Sequence, residues 1–366
     1  MTALVILILY IPIIVITAIT PYITRKTESF GVTIPEAVYN NEEVKQFRKS
    51  YVKKTGIVGF TLLSVSLIGG IINDATSAMT IFLLAIILYL LTSFLIYLEF
   101  HKKMKKLKEN SSWGKGKNDT VIIDTNFRKE KLTLSNAWFI FALLITVATF
   151  AITVIFYDKI PNEFPMQYDF EGNVTNIVEK SYASVFGLPL TQLFMLVMFI
   201  FLNSMIGRSR QQIDAANPEK SIQQNIIFRR RWSAFMVFSG TALVLLFALI
   251  QLSLILSMDY KIIAISSLVV SAVIVIAAII ISIVTGQGGS RVKTVTGKDG
   301  EIINRDEDKY WKLGIFYMNA SDPSVWVEKR FGSGWTINFA RPIAWVFIVI
   351  VILIPILISI FTTMGS

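Results

Sequence analysis

The sequence predicts an all-α polytopic integral membrane protein of about eight transmembrane helices. Both termini are expected outside, with a small α/β or β-rich cytoplasmic insert before the last helix. Three observations carry this reading. Of the 366 residues, 54% are hydrophobic and only 16% are charged, against about one quarter charged in soluble domains. Eight stretches approach the ~20 apolar residues that a helix needs to cross a bilayer core. The basic residues, finally, fall almost entirely in alternate loops.

The eight stretches are residues 2–22, 56–72, 78–99, 135–157, 184–206, 233–258, 262–285 and 342–361. The first has Arg25-Lys26 behind it and no basic residue ahead of it. A secretory signal has the opposite polarity, so this segment reads as an anchor. The second is short and carries Gly56, Gly59, Gly69 and Gly70. It is expected to form a tight hairpin with the third through Asn73-Asp74, its glycines permitting close helix contact. Loops 23–55, 100–134, 207–232 and 286–341 hold 7, 10, 6 and 9 Lys and Arg, which is 32 of the 35. Lys159, Lys180 and Lys261 lie on the other side. This asymmetry places the four loops in the cytoplasm and accounts for the net charge of +10 without nucleic acid. The chain then divides into 1–134 (three helices with basic loops), 135–206 (two helices and an outer loop), 207–285 (two helices), 286–341 (an inner aromatic and glycine-rich module) and 342–366 (the last helix and an outer tail).

Several chemistries are disfavoured. There is no cysteine and only one histidine, His101, so neither a zinc site nor another metal or cofactor is expected. The central spans carry no ionisable residue, and Gln192, Asn203 and Gln251 are their main polar groups. Proton-coupled transport ordinarily needs such residues. No His-Glu-x-x-His motif and no paired intramembrane Asp occurs, so an enzyme is not expected.

Four soluble segments hold what pattern remains. In the first inner loop, Thr33-Ile34-Pro35-Glu36 reads as a capping box. It leads into a short basic helix with Val44, Phe47 and Tyr51 on one face, suited to a membrane surface. The second inner loop is densely basic from His101 to Lys108, and residues 120–125 have strand character, with 131–133 as a pairing partner. The outer loop is acidic, and Pro161 and Pro165 hold it extended while Gly172 suits a turn. In the last inner segment Gly286-Gln287-Gly288-Gly289 ends the seventh helix, and residues 294–303 read as a hairpin around Asp299-Gly300. A dense run of Trp, Tyr and Gly follows, expected to form a small packed unit near the membrane.

Two resemblances extend this. Pro165, Tyr168, Asp169, Gly172, Lys180 and Ser181 follow the outer-loop pattern of the membrane family of unknown function that forms the N-terminal half of SdpI-type toxin-immunity proteins of Gram-positive bacteria. Gln167 stands where many members carry His, so an imidazole role is not expected. Trp311, Gly314, Tyr317, Asn319, Asp322, Pro323, Lys329, Arg330, Gly332, Gly334, Trp335 and Asn338 resemble a second uncharacterised module found in longer relatives, with Ala320 where Pro is common. The resemblance implies a bacterial plasma-membrane protein of immunity or envelope signalling. On that expectation Pro161, Pro165, Tyr168, Asp169, Gly172 and Lys180 form an outer recognition surface for a membrane-active peptide. The inner module would meet a cytoplasmic protein. The alternative is a transporter, or a subunit of one, for lipid or peptide without proton coupling.

Overall fold

In lipid every backbone polar group must bond within its own segment, so long apolar runs fold as helices. The structure, a computed structural model, describes residues 2–111, 113, 130–168, 174–214, 217–293 and 307–364. Its long helices are α1 (Thr2–Ile23), α2 (Glu42–Ile72), α3 (Ala75–Asn110), α4 (Ile140–Ile155), α5 (Tyr182–Arg208), α6 (Pro218–Leu256), α7 (Tyr260–Thr285) and α8 (Pro342–Met364). Antiparallel strand pairs join them: β1 (Glu28–Ser29) with β2 (Val32–Thr33), β3 (Glu163–Tyr168) with β4 (Val174–Glu179), β5 (Trp311–Lys312) with β6 (Phe316–Tyr317), and β7 (Trp326–Glu328) with β8 (Trp335–Ile337).

Helices α1, α2 and α3 form one bundle. Three of the four α2 glycines sit at close contacts: a Cβ on Gly59 would lie 2.9 Å from Ile14 of α1, one on Gly69 2.9 Å from Ile81 of α3 and one on Gly70 3.1 Å from Ile6 of α1, whereas one on Gly56 would meet nothing within 4 Å. The Tyr10 hydroxyl donates to the Ala85 carbonyl at 3.1 Å, tying α1 to α3. The Asn73-Asp74 turn is also as expected, with Asp74 accepting from the Thr76 and Ser77 amides. Helices α4, α5 and α6 form a second bundle, with α8 against α5 and α7 against α6. Two intramembrane amides hold it: Gln192 donates to the Val244 carbonyl at 3.0 Å and Gln251 to the Val185 carbonyl at 3.2 Å. Such bonds join helices where the hydrophobic effect is weak. Helix α7 also reaches α1, forming the seam between the bundles.

Three expectations are corrected. The basic amphipathic segment and the second span are one continuous helix of 31 residues, α2. Its Val44 and Tyr51 are buried with Phe30, Phe100 and Met104, so that face packs on protein rather than on headgroups. The capping box does not form. Thr33 lies in β2 and gives its amide and hydroxyl to Asp308 at 3.1 and 2.9 Å, while Asn41 caps α2. Most of loop 207–232 belongs to α6, which starts at Pro218. The strand expected at 120–125 and the hairpin at 294–303 lie outside the described residues.

Candidate functional site

The outer loop folds as the β3–β4 ribbon. Phe164 pairs with Val178 across it, and both turn inward onto Ile160, Val185 and Ile255. Alternation then forces their neighbours outward, and Glu163 faces Glu179 directly. Two like charges in register oppose the pairing. The register slips at Pro165–Gln167, where proline offers no amide to the ladder. Tyr168 is exposed and stacks on Tyr260; Ile177, opposite Pro165, and Tyr182, stacked on Tyr157, are exposed too. Pro161 is exposed and Pro165 half-buried, while Asp169 and Gly172 lie outside the described residues.

Lys180 does not neutralise these carboxylates. Its ammonium donates to the Ile160 carbonyl at 2.9 Å and sits over the Tyr157 ring. Ser181 next to it caps α5 in a reciprocal box with Ser184. The Lys-Ser pair therefore sets the geometry of the outer turn rather than facing outward to a ligand.

On the inner face the β5–β8 module makes ties to every other inner segment. Phe30-Gly31 and Leu313-Gly314 both turn through positive φ, between 48° and 76°. Glycine takes this conformation freely, but Phe and Leu do so at a cost that the surroundings must offset. The two turns press together: a Cβ on Gly31 would lie 2.5 Å from the Gly314 carbonyl oxygen. Helix α3 clamps both, with the Tyr97 hydroxyl 2.9 Å from the Leu313 carbonyl and His101 Nδ1 2.8 Å from that of Phe30. Phe331 packs against Tyr97, Phe30 and Tyr51.

Buried ions complete the joint. Glu328 bonds Arg25 of the first inner loop, the Asn225 amide at 2.8 Å and Arg229 at 3.4 Å. Arg229, fully buried, also donates to the Ile206 and Arg210 carbonyls and to the Ser209 hydroxyl, satisfying the exposed carbonyl end of α5. Arg330 bonds Asp308, which also holds Lys108 at 2.7 Å. With Arg25 on Glu328 and Arg330 on Asp308, Glu28 keeps only a 3.8 Å contact to Arg330 and a bond from Gln212. Burial therefore wins over the arginines and raises its pKa to about 7. Asp308 lies the other way: its burial is outweighed by Arg330 and Lys108, which hold it near about 2.

The matched module residues fill structural places. Trp311 packs on Tyr317, and Tyr317 and Asp322 together hold Arg210. Asn338 exchanges bonds with the Asn319 backbone at 3.0 and 2.8 Å. Trp335 packs on Phe228 of α6, and the Gly334 backbone exchanges two bonds with the Gln287 side chain. Pro323 and Lys329 are exposed. Sequence reasoning missed Arg25, Glu28, Arg229 and Glu328, because single charges in a basic loop read as solvated.

Where the bundles meet, a cleft of about 720 Å³ opens between α1, α3 and α7, with Ile8, Leu9, Pro12, Phe82, Val275 and Ile279 among its walls. Its inner end is closed by Trp232, Lys329 and Ser333.

Among the described residues, eight helices are long and apolar enough to cross a membrane, which defines a multi-pass membrane protein. Residues 144–193, from α4 through the outer ribbon into α5, match a domain of unknown function (DUF1648). Residues 321–345, covering β7, β8 and the start of α8, match a family of unknown function (DUF5808). No curated protein and no solved structure matches the chain.

Proposed function

We propose that the chain is a non-enzymatic immunity or envelope-sensor protein of a bacterial plasma membrane, related to the SdpI-type immunity proteins that its outer loop resembles. The observation that carries this is the outer ribbon. Glu163 and Glu179 face one another with no salt bridge to either among the described residues, on a ribbon that also exposes Tyr168 and Ile177 and leads to exposed Tyr182 at the start of α5. A cationic amphipathic peptide supplies both complements, positive charge and apolar surface. The inner module, touching every inner segment, is suited to pass a change at the outer face to a cytoplasmic protein.

The test is peptide binding by the full chain in lipid nanodiscs, with Glu163→Gln and Glu179→Gln together. The paired substitution is expected to weaken binding of cationic peptides about tenfold and to steepen no other response. Equal binding by both forms, and unchanged sensitivity of a deletion strain across a broad peptide panel, would refute the immunity reading.

The cleft between the bundles favours a second reading, a lipid transporter without proton coupling. Lipid scrambling by proteoliposomes separates the two: movement above that of protein-free vesicles supports transport.

A further inference from the structure

We propose that the cleft between the two bundles is a binding site for an anionic glycerophospholipid of the inner leaflet, its phosphate held by Lys329, Ser333 and Trp232 and an acyl chain lying between α1 and α7. Three observations converge on this.

The first is shape. The lining runs along α1 from Ile8 to Ile23. At 1.5 Å per residue this is about 22 Å of helix, longer than the ~15 Å thickness of one hydrocarbon leaflet. The walls over this length are mostly Ile, Leu, Val, Ala, Pro and Phe, with Thr20, Ser271 and Ser282 the hydroxyl-bearing residues among them. An unfilled apolar space of this size forfeits dispersion contacts on all sides. In a bilayer the group at hand to fill it is an acyl chain.

The second is unsatisfied donors. The Trp232 indole N–H and the Ser333 hydroxyl are both buried without a hydrogen-bond partner. Lys329 has no carboxylate partner among the described residues, since adjacent Glu328 is committed to Arg25, Asn225 and Arg229. Lys329 lines the cleft, and the protein around it lowers its pKa by desolvation. Buried donors require acceptors, and a cation with two neutral donors calls for an anionic, oxygen-rich group. No Asp or Glu lines the cleft, so a cationic occupant has nothing to bind.

The third is depth. These donors line the cleft with Ile23 and Ser282, at the inner ends of α1 and α7. That is the headgroup level of the inner leaflet, where basic pockets between helices bind anionic headgroups.

The test is native mass spectrometry of the full-length detergent-solubilised protein, titrated with palmitoyl-oleoyl phosphatidylglycerol and, separately, phosphatidylcholine. Phosphatidylglycerol is expected to bind about fivefold tighter, the value of one lysine beside an anionic headgroup. Lys329→Gln should erase that preference, Lys329→Arg should keep it, and Lys312→Gln, away from the cleft, should leave it unchanged. Ala278→Trp, which fills the cleft, should lower retention of both lipids. Lys329→Gln adds no volume, so its outcome stands even where the tryptophan variant fails to fold. Equal retention of the two lipids by the wild type, or an unchanged preference in Lys329→Gln, would overturn the proposal. Displacement by inorganic phosphate at equal potency would also overturn it, by showing a plain anion site with no acyl component.

Discussion

Replacing Glu328 with alanine should detach the inner module locally while leaving the membrane helices intact. The Glu328 side chain is fully buried, and it serves Arg25, Asn225 and Arg229. The three losses are unequal. Arg229 keeps Asn225, Ile206, Ser209 and Arg210 as acceptors and gives up only a 3.4 Å contact. Asn225 loses its acceptor at 2.8 Å, which costs about 1–3 kcal/mol for a buried donor. Arg25, whose side chain is only 12% exposed, loses its carboxylate. Breaking such a buried pair from one side costs ~3–5 kcal/mol. Together these give about 4–8 kcal/mol, whose lower end alone is on the order of a thousandfold in an opening equilibrium at ~1.4 kcal/mol per decade. Amide hydrogen exchange over residues 325–338 reads this directly, because the Gly332 and Gly334 amides bond to Thr24 and Gln287 across the joint. Glu328→Leu combined with Arg25→Met should restore much of the protection, since apolar replacement of a whole buried pair is often neutral. An acceleration of less than tenfold in Glu328→Ala would refute the view that this carboxylate holds the module in place.

The joint should also respond to pH. Folded Glu28 keeps its proton to about pH 7, whereas its ordinary value is 4.5; the folded state binds more protons in that window, so stability falls as pH rises through it. Asp308 acts oppositely, its contribution being lost as pH drops from 3.8 towards about 2. Melting followed by tryptophan fluorescence in detergent should therefore show stability declining between pH 4.5 and 7, and Glu28→Gln should flatten that slope. Gly31→Ala should destabilise by more than the ~1–2 kcal/mol of a left-handed residue, because the new methyl also meets Gly314 and Tyr97; denaturation of the inner face by limited proteolysis measures this. Ser181→Ala should cost ~1 kcal/mol through loss of the α5 cap, seen as faster exchange at Ala183–Val185, with no change at the inner module.

Hydropathy made the spans legible, because lipid demands long apolar helices and little else satisfies that demand. Gly59, Gly69 and Gly70 of α2 were legible for a related reason, since small residues in membrane helices permit close contact. The inner joint was not legible. Arg229, Arg230 and Arg231 are consecutive and alike in type, yet Arg229 is fully buried while Arg230 reaches an exposed Glu130. The direction in which α6 presents each residue decides this, and that direction is set by α5 and the module, from distant parts of the chain. The capping-box expectation failed for the same reason, since Asp308, 275 residues away, competes for the Thr33 amide and hydroxyl. On the outer face the strand alternation of Phe164 and Val178 was present in the sequence, but the facing of Glu163 and Glu179 depends on register, which spacing alone does not fix.

The placement of the module late in the chain has a consequence for biogenesis. Its bonds to Thr24 and Arg25 span 308 and 303 residues, and its other partners on α3, α5, α6 and α7 are all synthesised before it. It is thus the closing piece, able to dock only after seven helices have been inserted with their loops on the correct side. A chain that stops early, or threads one helix the wrong way, leaves Arg25, Arg229 and Glu28 uncovered together.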